Sequence, residues 1–249
     1  MFVAASTACF PDLSLDDALA RMVDLEYTRV ELALSEQNRE LKPSQIAERF
    51  DDAVTRCRQL HRLTPVAFSL DIAGEGDEYY RQFAACCRLA KAVKVVSVVV
   101  PGAELGTPFN AEVERLRDLV ALATTEGVVV ALKTEAGRVT QDPDTIVVLC
   151  DNVKGLGVTL DPSHFVYNKP NPVSYDQLLK YVCHVQLRDT STAQFQVRVG
   201  QGSIEYGRII AQLAQVGYDR ALSVVIEPMP DVDHAAELRK LRLLLDSLL

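Results

Sequence analysis

A chain of 249 residues with 48% hydrophobic and 24% charged residues, 11 Pro and 12 Gly can bury one sizeable core and lacks the composition of a disordered, collagenous or low-complexity polymer. Its 26 basic and 34 acidic residues leave a formal charge of −8, which disfavours partners held by phosphate neutralisation, nucleic acid first among them. No apolar run reaches membrane-spanning length, and the opening MFVAASTACF lacks a basic leader and reads as a first strand, so a soluble, cytoplasmic protein of one domain over residues 1–249 is expected.

Eight segments rich in β-branched residues follow in order: FVAAS, TRVELAL, TPVAFSLDI, VKVVSVVV, VVVALKTEA, GVTLDPS, CHVQLRD and ALSVVIEP, each of strand length. Helix patterns lie between them. Ser14 opens the first at capping-box spacing to Asp17, with Leu15, Ala18, Leu19, Met22 and Val23 on one face. Pro43 and Ser44 open the second, whose apolar side carries Ile46, Phe50, Val54, Cys57 and Leu60. Asn110 is the expected cap of the fourth, which buries Val113, Leu116 and Val120. Asp142 and Pro143 begin the fifth, and Ser203 and Asp233 are the expected caps of the last two, with Ile209, Ile210 and Leu213, then Leu238, Leu241, Leu244 and Leu245 facing the sheet.

Strict β-then-α alternation implies parallel strands joined by right-handed crossovers, and eight such units fit a closed (β/α)8 TIM barrel. An open doubly wound sheet is the fallback, but it would carry a Gly-rich phosphate loop after the first strand, where CFPDLS has no glycine. The six cysteines, Cys9, Cys57, Cys86, Cys87, Cys150 and Cys183, show no CxxC spacing, so buried reduced thiols are expected. Cys9, just past the first strand, is the position to watch for a nucleophile.

Strand residues alternate faces, so assigning the apolar set to the helices fixes what enters the barrel. Val130 and Leu132 outward leave Ala131, Lys133 and Glu135 inside. Leu222, Val224 and Ile226 outward leave Ser223, Val225 and Glu227. Val185 and Leu187 outward leave His184, Gln186 and Arg188, while Thr159 shares a face with Asp161 and Glu31 lies opposite Val30 and Leu32. In this fold active sites form at the C-terminal rim, which makes Glu31, Asp71, Lys133, Glu135, Asp161, His164, His184, Gln186, Arg188 and Glu227 the candidates. A hydrogen-bonded polar network that only packs the centre is the plainer alternative. Asp161 could cap a helix, Glu31 could balance Lys133, and Asp189 could cap the following loop. His61 and His234 lie in helix-like sequence as solvent-facing or capping residues, and Gly200-Gln201-Gly202 reads as a tight loop, by itself weak evidence of anion binding.

The ordered segments DPSHF, HVQLRD, VRVGQGSIEYGRII and GYDRALSVVIEP, with VEL at Glu31, resemble the xylose isomerase-like barrels, the sugar phosphate isomerase/epimerase group, over nearly the whole chain. The resemblance implies a divalent metal held by Glu, Asp, His and Glu from the fifth to eighth strands, and interconversion or epimerisation of sugars. Carried over by position, Asp161 matches the metal-binding aspartate and His164 the substrate-facing histidine. Lys133, Gln186 and Val225 stand where a glutamate, a second histidine and a last glutamate would be. Glu135 and Glu227 lie two residues beyond, on the same face and roughly 6.6 Å further along their strands. The rescued ligand set is therefore Glu135, Asp161, His184 and Glu227 for Mg²⁺, Mn²⁺ or Zn²⁺; if Lys133 pairs with Asp161 and fills the site, no metal is expected.

These readings predict an isomerase or epimerase acting on a small sugar, sugar phosphate or hydroxy-carbonyl compound. Glu135 or Glu227 would be the base, a metal or Lys133 would stabilise the enediolate, and His164, Glu31, Gln186 and Arg188 would hold substrate. The alternative is a metal-free barrel that has lost catalysis and binds a sugar or a partner. Schiff-base chemistry on Lys133 is a third reading. The abasic-site endonucleases of the same superfamily need a histidine-rich three-metal cluster, which four histidines and a charge of −8 argue against. No membrane or nucleic-acid partner is expected, and self-association is left open.

Overall fold

The computed structural model describes residues 1–171 and 173–249. Eight parallel strands close into a barrel in chain order, β1 (Phe2–Ser6), β2 (Arg29–Ser35), β3 (Thr64–Asp71), β4 (Ser97–Val100), β5 (Val129–Lys133), β6 (Gly157–Leu160), β7 (Val182–Leu187) and β8 (Ala221–Val224), with β8 pairing back onto β1. The predicted (β/α)8 class and all eight strand positions are present. Around them run α1 (Leu15–Asp24), α2 (Pro43–Glu48), α3 (Phe50–Arg58), α4 (Gly76–Ala92), α5 (Phe109–Thr125), α6 (Pro143–Asn152), α7 (Ser163–Val166), α8 (Tyr206–Gln215) and α9 (His234–Asp246). The expected outward residues Val130, Leu132, Val185, Leu187, Leu222, Val224 and Ile226 join the apolar layer between strands and helices, whereas Val99, Ala131 and Cys183 form a small separate cluster.

Ser14, Asp142 and Asp233 cap α1, α6 and α9 as expected, each side chain accepting from the backbone N–H three residues on. Four local expectations need correction. The second helix is two, because Arg49 leaves helical backbone with φ −129° and ψ 61°. The fourth starts at Phe109 after Pro108, so Asn110 lies inside its first turn. The cap before α8 is Glu205 in place of Ser203. The fourth strand begins at Ser97, since Lys94 adopts the left-handed region with φ 65° as the chain leaves α4. Between β6 and β7 the crossover is made by the four-residue α7 and a 3-10 helix over Asp176–Tyr181.

One irregularity positions the site. Val158 pairs with Val182 but Thr159 pairs with His184, so β7 carries one extra residue, Cys183, at this step. Without that bulge His184 would face the helices. With it, Cys183 and His184 both enter the barrel, and normal alternation then brings Gln186 and Arg188 to the same side. Gly157 makes this fit, because a Cβ there would overlap the Cys183 thiol.

Candidate active site

The polar side chains of the barrel fall into two groups. The lower one is sealed. Glu31 reaches across from β2 to accept hydrogen bonds on both oxygens, from His184 Nε2 at 2.6 Å and Gln186 Nε2 at 2.6 Å. All three residues are buried. Burial works to raise the Glu31 carboxyl, but His184, aided by Ser223 and Gln186, outweighs it and holds it below the usual carboxylate range. An ionised carboxylate only accepts, so the proton between them sits on His184 Nε2. Glu31 therefore does not balance Lys133, and it was expected among substrate-binding groups that the structure instead engages with one another.

The upper group lies at the ends of β5, β6 and β7. Asp161, the first residue past β6, is fully buried. Its Oδ1 accepts from the Ser163 amide at 3.0 Å and its Oδ2 from Arg188 Nη2 at 3.2 Å, with His164 Nε2 3.6 Å from the same oxygen. Its backbone N–H donates to Thr134 Oγ1 at 2.8 Å. Burial would raise this carboxyl, yet Arg188, His164 and Lys133 together hold it down. The counter-ion is thus Arg188, which corrects the expected Lys133–Asp161 pair. Lys133 instead lies 3.9 Å from Glu135 Oε1, and Arg138 Nε lies 3.9 Å from Glu135 Oε2. The Lys133 and Glu135 side chains are 24% and 27% exposed, against 8% for His164 and 5% for Arg188, so this pair is the open end of the group.

His164 is held as a particular tautomer. Its Nδ1 accepts from the Ala136 amide at 3.0 Å, so in the neutral ring the proton is on Nε2, which is buried and among the described residues has no hydrogen-bond partner. Burial lowers its pKa, and nearby Lys133 and Arg188 add to this against the opposing Asp161 charge. Phe195 covers the cluster. Its ring is 4.8 Å from the His164 ring and 4.7 Å from the Arg188 guanidinium carbon, and Tyr167 meets it edge-on at 5.5 Å.

The remaining candidates lie apart. Asp71 is an exposed residue at the end of β3 that accepts from Ser35 Oγ at 3.0 Å. Glu227 is exposed, and the Gln196 side chain bonds both its backbone N–H, at 2.8 Å, and its carbonyl, at 2.7 Å. The Gly200-Gln201-Gly202 turn does gather an anion, but an internal one: Asp189 Oδ2 accepts from the Gly200 and Gly202 amides at 2.7 and 3.1 Å, tying down the loop that carries Phe195. Cys9 Sγ is buried between the Val224 carbonyl and the Ile226 amide, both at 3.4 Å; burial pushes this thiol up to about 12, which removes it as a nucleophile. The other five cysteines are also free and buried. His61 lies in the turn after α3 and pairs with Asp16, and His234 is bonded to the Cys9 carbonyl at 2.7 Å. A cavity of about 560 Å³ opens over the ends of β1 and β2 beside Thr7, Phe10, Ala33, Ser35 and Asn38. It touches none of the buried ionisable groups. Sequence reasoning missed Phe195, Thr134, Ser163 and Arg138; only Arg138, three residues after Glu135, carried a readable charge signal.

The residues do not fit the divalent metal that the resemblance implies. Of the rescued set, His184 is spent on Glu31, Asp161 has a guanidinium on one oxygen and an amide on the other, Glu135 stands between two cations, and Glu227 points to solvent at the rim. Among the described residues no three His, Cys, Asp or Glu side chains converge as ligands. Lys133 and Arg188 put fixed positive charge where a cation would bind, and nitrogen donors already carrying protons cannot ligate one.

The chain matches the xylose isomerase-like TIM barrels over residues 19–244. No curated protein sequence matches it. Its fold is similar to that of 3-keto-D-glucoside 4-epimerase from E. coli, with a TM-score of 0.76 at 14% identity over 99% of each chain. It is similar also to the probable 3-DHS dehydratase AsbF from Bacillus anthracis, with a TM-score of 0.73 at 16% identity over 99% of each. The IOLI protein, solved with a binding zinc atom, superposes with a TM-score of 0.75 at 18% identity, covering 100% of this chain and 98% of that one. At such identities the likeness is one of fold. With the family match spanning most of the sequence, the chain belongs to the xylose isomerase-like TIM barrel family.

Proposed function

We propose that this barrel, as a single cytoplasmic domain, is a metal-independent isomerase or epimerase that moves a proton beside the carbonyl of a small sugar or hydroxy-carbonyl compound. The observation that carries the reading is the half-exposed Lys133–Glu135 pair, 3.9 Å apart, beside the unpartnered Nε2–H of His164. Glu135 takes the proton from the carbon next to the carbonyl, and the electron pair left behind moves onto the carbonyl oxygen. The Lys133 ammonium and the His164 N–H stand ready to receive that charge, already oriented by the Asp161 network and partly shielded from water by Phe195. Return of the proton to the same carbon from the opposite face gives the epimer, whereas its delivery to the former carbonyl carbon, with the neighbouring hydroxyl proton passing to the old carbonyl oxygen, gives the isomer. Glu135 is preferred to Glu227 because the latter lies outside the cluster. Family neighbours named as an epimerase and a dehydratase support proton transfer at sugar-like carbons. Among the described residues no helix is long and apolar enough to cross a membrane.

Incubation of substrates in deuterated water with a chelator present tests this directly. Deuterium should enter one ketose, aldose or hydroxy-carbonyl compound, Glu135→Gln should slow it about 10²–10⁴-fold, and Lys133→Met about 10²–10³-fold. No exchange across a broad panel would favour a second reading, a barrel that binds such compounds without turning them over. That reading draws on Glu31 and Asp161, whose carboxylates are already fully engaged by protein groups.

A further inference from the structure

We infer that the tip of the loop after β7, residues 191–196, is a gate that swings out before a compound reaches His164, and that Gln196 is its latch. The inference rests on the proposed site and names how entry to it is controlled. The His164 and Arg188 side chains are only 8% and 5% exposed, and among the described residues His164 Nε2 and Arg188 Nε are buried without partners. In the proposed chemistry the His164 N–H meets the developing oxyanion, so whatever covers it has to move. From within the barrel the pair is held by Asp161 Oδ2, 3.6 Å from His164 Nε2 and 3.2 Å from Arg188 Nη2, and the Ala136 amide occupies His164 Nδ1. Over them lies the Phe195 ring, 4.8 Å from the imidazole and 4.7 Å from the guanidinium carbon. Asp161 is fixed by buried bonds, whereas Phe195 stands on a loop.

The attachments of that loop are unevenly placed. Its base is firmly held: the Asp189 carboxylate takes the Gly200 and Gly202 amides, the Ser203 amide donates to the Thr190 carbonyl at 2.8 Å, the Val199 amide to Glu237 Oε2 at 2.6 Å and the Val197 amide to the Asp189 carbonyl at 3.0 Å. The tip has fewer holds. Thr190 Oγ1 donates to the Phe195 carbonyl at 2.8 Å, the Asn168 amide donates to the Thr192 carbonyl at 2.9 Å, and the Gln196 side chain makes its two bonds to the Glu227 backbone at the solvent edge. Thr192, Ala193 and Gln194 between them are exposed. A segment with few buried contacts and a handful of solvent-edge bonds opens at far lower cost than the barrel beneath it. Gln196 supplies two of those bonds and is the next residue to Phe195, so releasing it frees the ring. Open, the tip uncovers the His164 N–H; shut behind a bound compound, it keeps water from the reacting carbon.

Hydrogen exchange on the full chain, read amide by amide, tests the gate in wild type and Gln196→Ala. The Asn168 amide, bonded to the Thr192 carbonyl, reports the tip, and the Val225 amide, bonded to the Leu187 carbonyl at 2.9 Å, reports the barrel. Corrected for intrinsic rates, Asn168 should exchange at least about tenfold faster than Val225 in wild type. Gln196→Ala removes both latch bonds and should speed Asn168 about tenfold again, with Val225 unchanged. The sequence has no tryptophan, so Phe195→Trp introduces a single reporter at the ring position, and its quenching by acrylamide should rise when Gln196→Ala is added. Asn168 exchange unaltered by Gln196→Ala, Asn168 and Val225 accelerated by the same factor, or tryptophan quenching that does not change overturns the gate. A tip that opens in a protein that exchanges no substrate proton would sink the proton-transfer reading alone; substrate exchange with a tip as protected as Val225 would sink the gate alone.

Discussion

Replacing Arg188 with methionine keeps most of the side-chain volume and removes the charge, which isolates what the guanidinium does for Asp161. Asp161 is fully buried and bonded to one amide and one guanidinium nitrogen. The substitution removes a charge-assisted hydrogen bond worth about 1.5–3 kcal/mol and a cation–π contact with Phe195 worth about 0.5–2 kcal/mol. It also leaves a buried carboxylate short of its counter-ion, and breaking buried pairs in this way costs about 3–5 kcal/mol. Lys133 is near enough to bias Asp161 already and has a flexible stem that can swing in, which places the expectation at the lower end, about 3 kcal/mol. For a chain of this size that is about 6–12 °C in Tm.

Urea denaturation and calorimetry of Arg188→Met, Asp161→Asn and the double variant measure the coupling. The double variant should recover at least half of the loss, because the neutral amide no longer needs a cation. If Lys133 substitutes as counter-ion, Lys133→Met/Arg188→Met should lose more than the two single changes added. An Arg188→Met protein within about 0.5 kcal/mol of wild type, a difference ordinary for surface changes, would refute the assignment of Arg188 as the group that holds Asp161 ionised.

The wild-type Tm should not move with Mg²⁺, Mn²⁺ or Zn²⁺, whereas Lys133→Glu/Gln186→His/Val225→Glu, which restores family-type ligands, should gain about 2.7 kcal/mol at a hundredfold excess of metal over Kd; calorimetry with and without chelator checks both. Gly202→Ala should destabilise by about 1–3 kcal/mol, since a Cβ there would overlap Asp189 Oδ1 and sit 2.6 Å from the Thr190 carbonyl, and urea melts read the loss. Acid should act in two stages. His164 is depressed in the folded state, so its contribution is intact above the unfolded value of about 6.5 and is lost as pH falls below it; Asp161 and Glu31 are depressed too, and theirs is lost below about 4. Stability measured against pH for wild type and His164→Asn should differ in the upper stage alone.

The barrel was legible because its signals are local and repeated. Eight β-branched runs and three side-chain caps, Ser14, Asp142 and Asp233, state where strands begin and helices start. The misplaced starts share a cause: Pro108 and Glu205 precede α5 and α8 without any side-chain hydrogen bond to the helix, so nearby Asn110 and Ser203 attract the assignment without earning it. The break at Arg49 has no glycine or proline to announce it, and the apolar period runs on through Phe50. Inward and outward faces were readable even on β7, where the Cys183 bulge breaks strict alternation, because Val185 and Leu187 identify the outer side whatever precedes them.

Partner choice inside the barrel is a different kind of question, since alternation says which side chains enter and nothing about which of them meet. Leu160 pairs with Val185, so Asp161 is level with Gln186, and Arg188 lies one inward step above it. Thr159 pairs with Lys133, which puts the lysine one inward step below on the opposite flank. Both cations are therefore about equally distant along their strands, and spacing alone cannot choose between them. The choice is made by groups from outside the strands. Phe195, carried on the loop that Asp189 anchors through Gly200 and Gly202, stacks on the guanidinium and presses it down onto Asp161, while Glu135 and the open rim draw the ammonium away. A loop residue with no periodicity thus decides which cation neutralises the buried aspartate and which is left free at the mouth, and in the proposed chemistry that freed lysine is the one that meets the substrate.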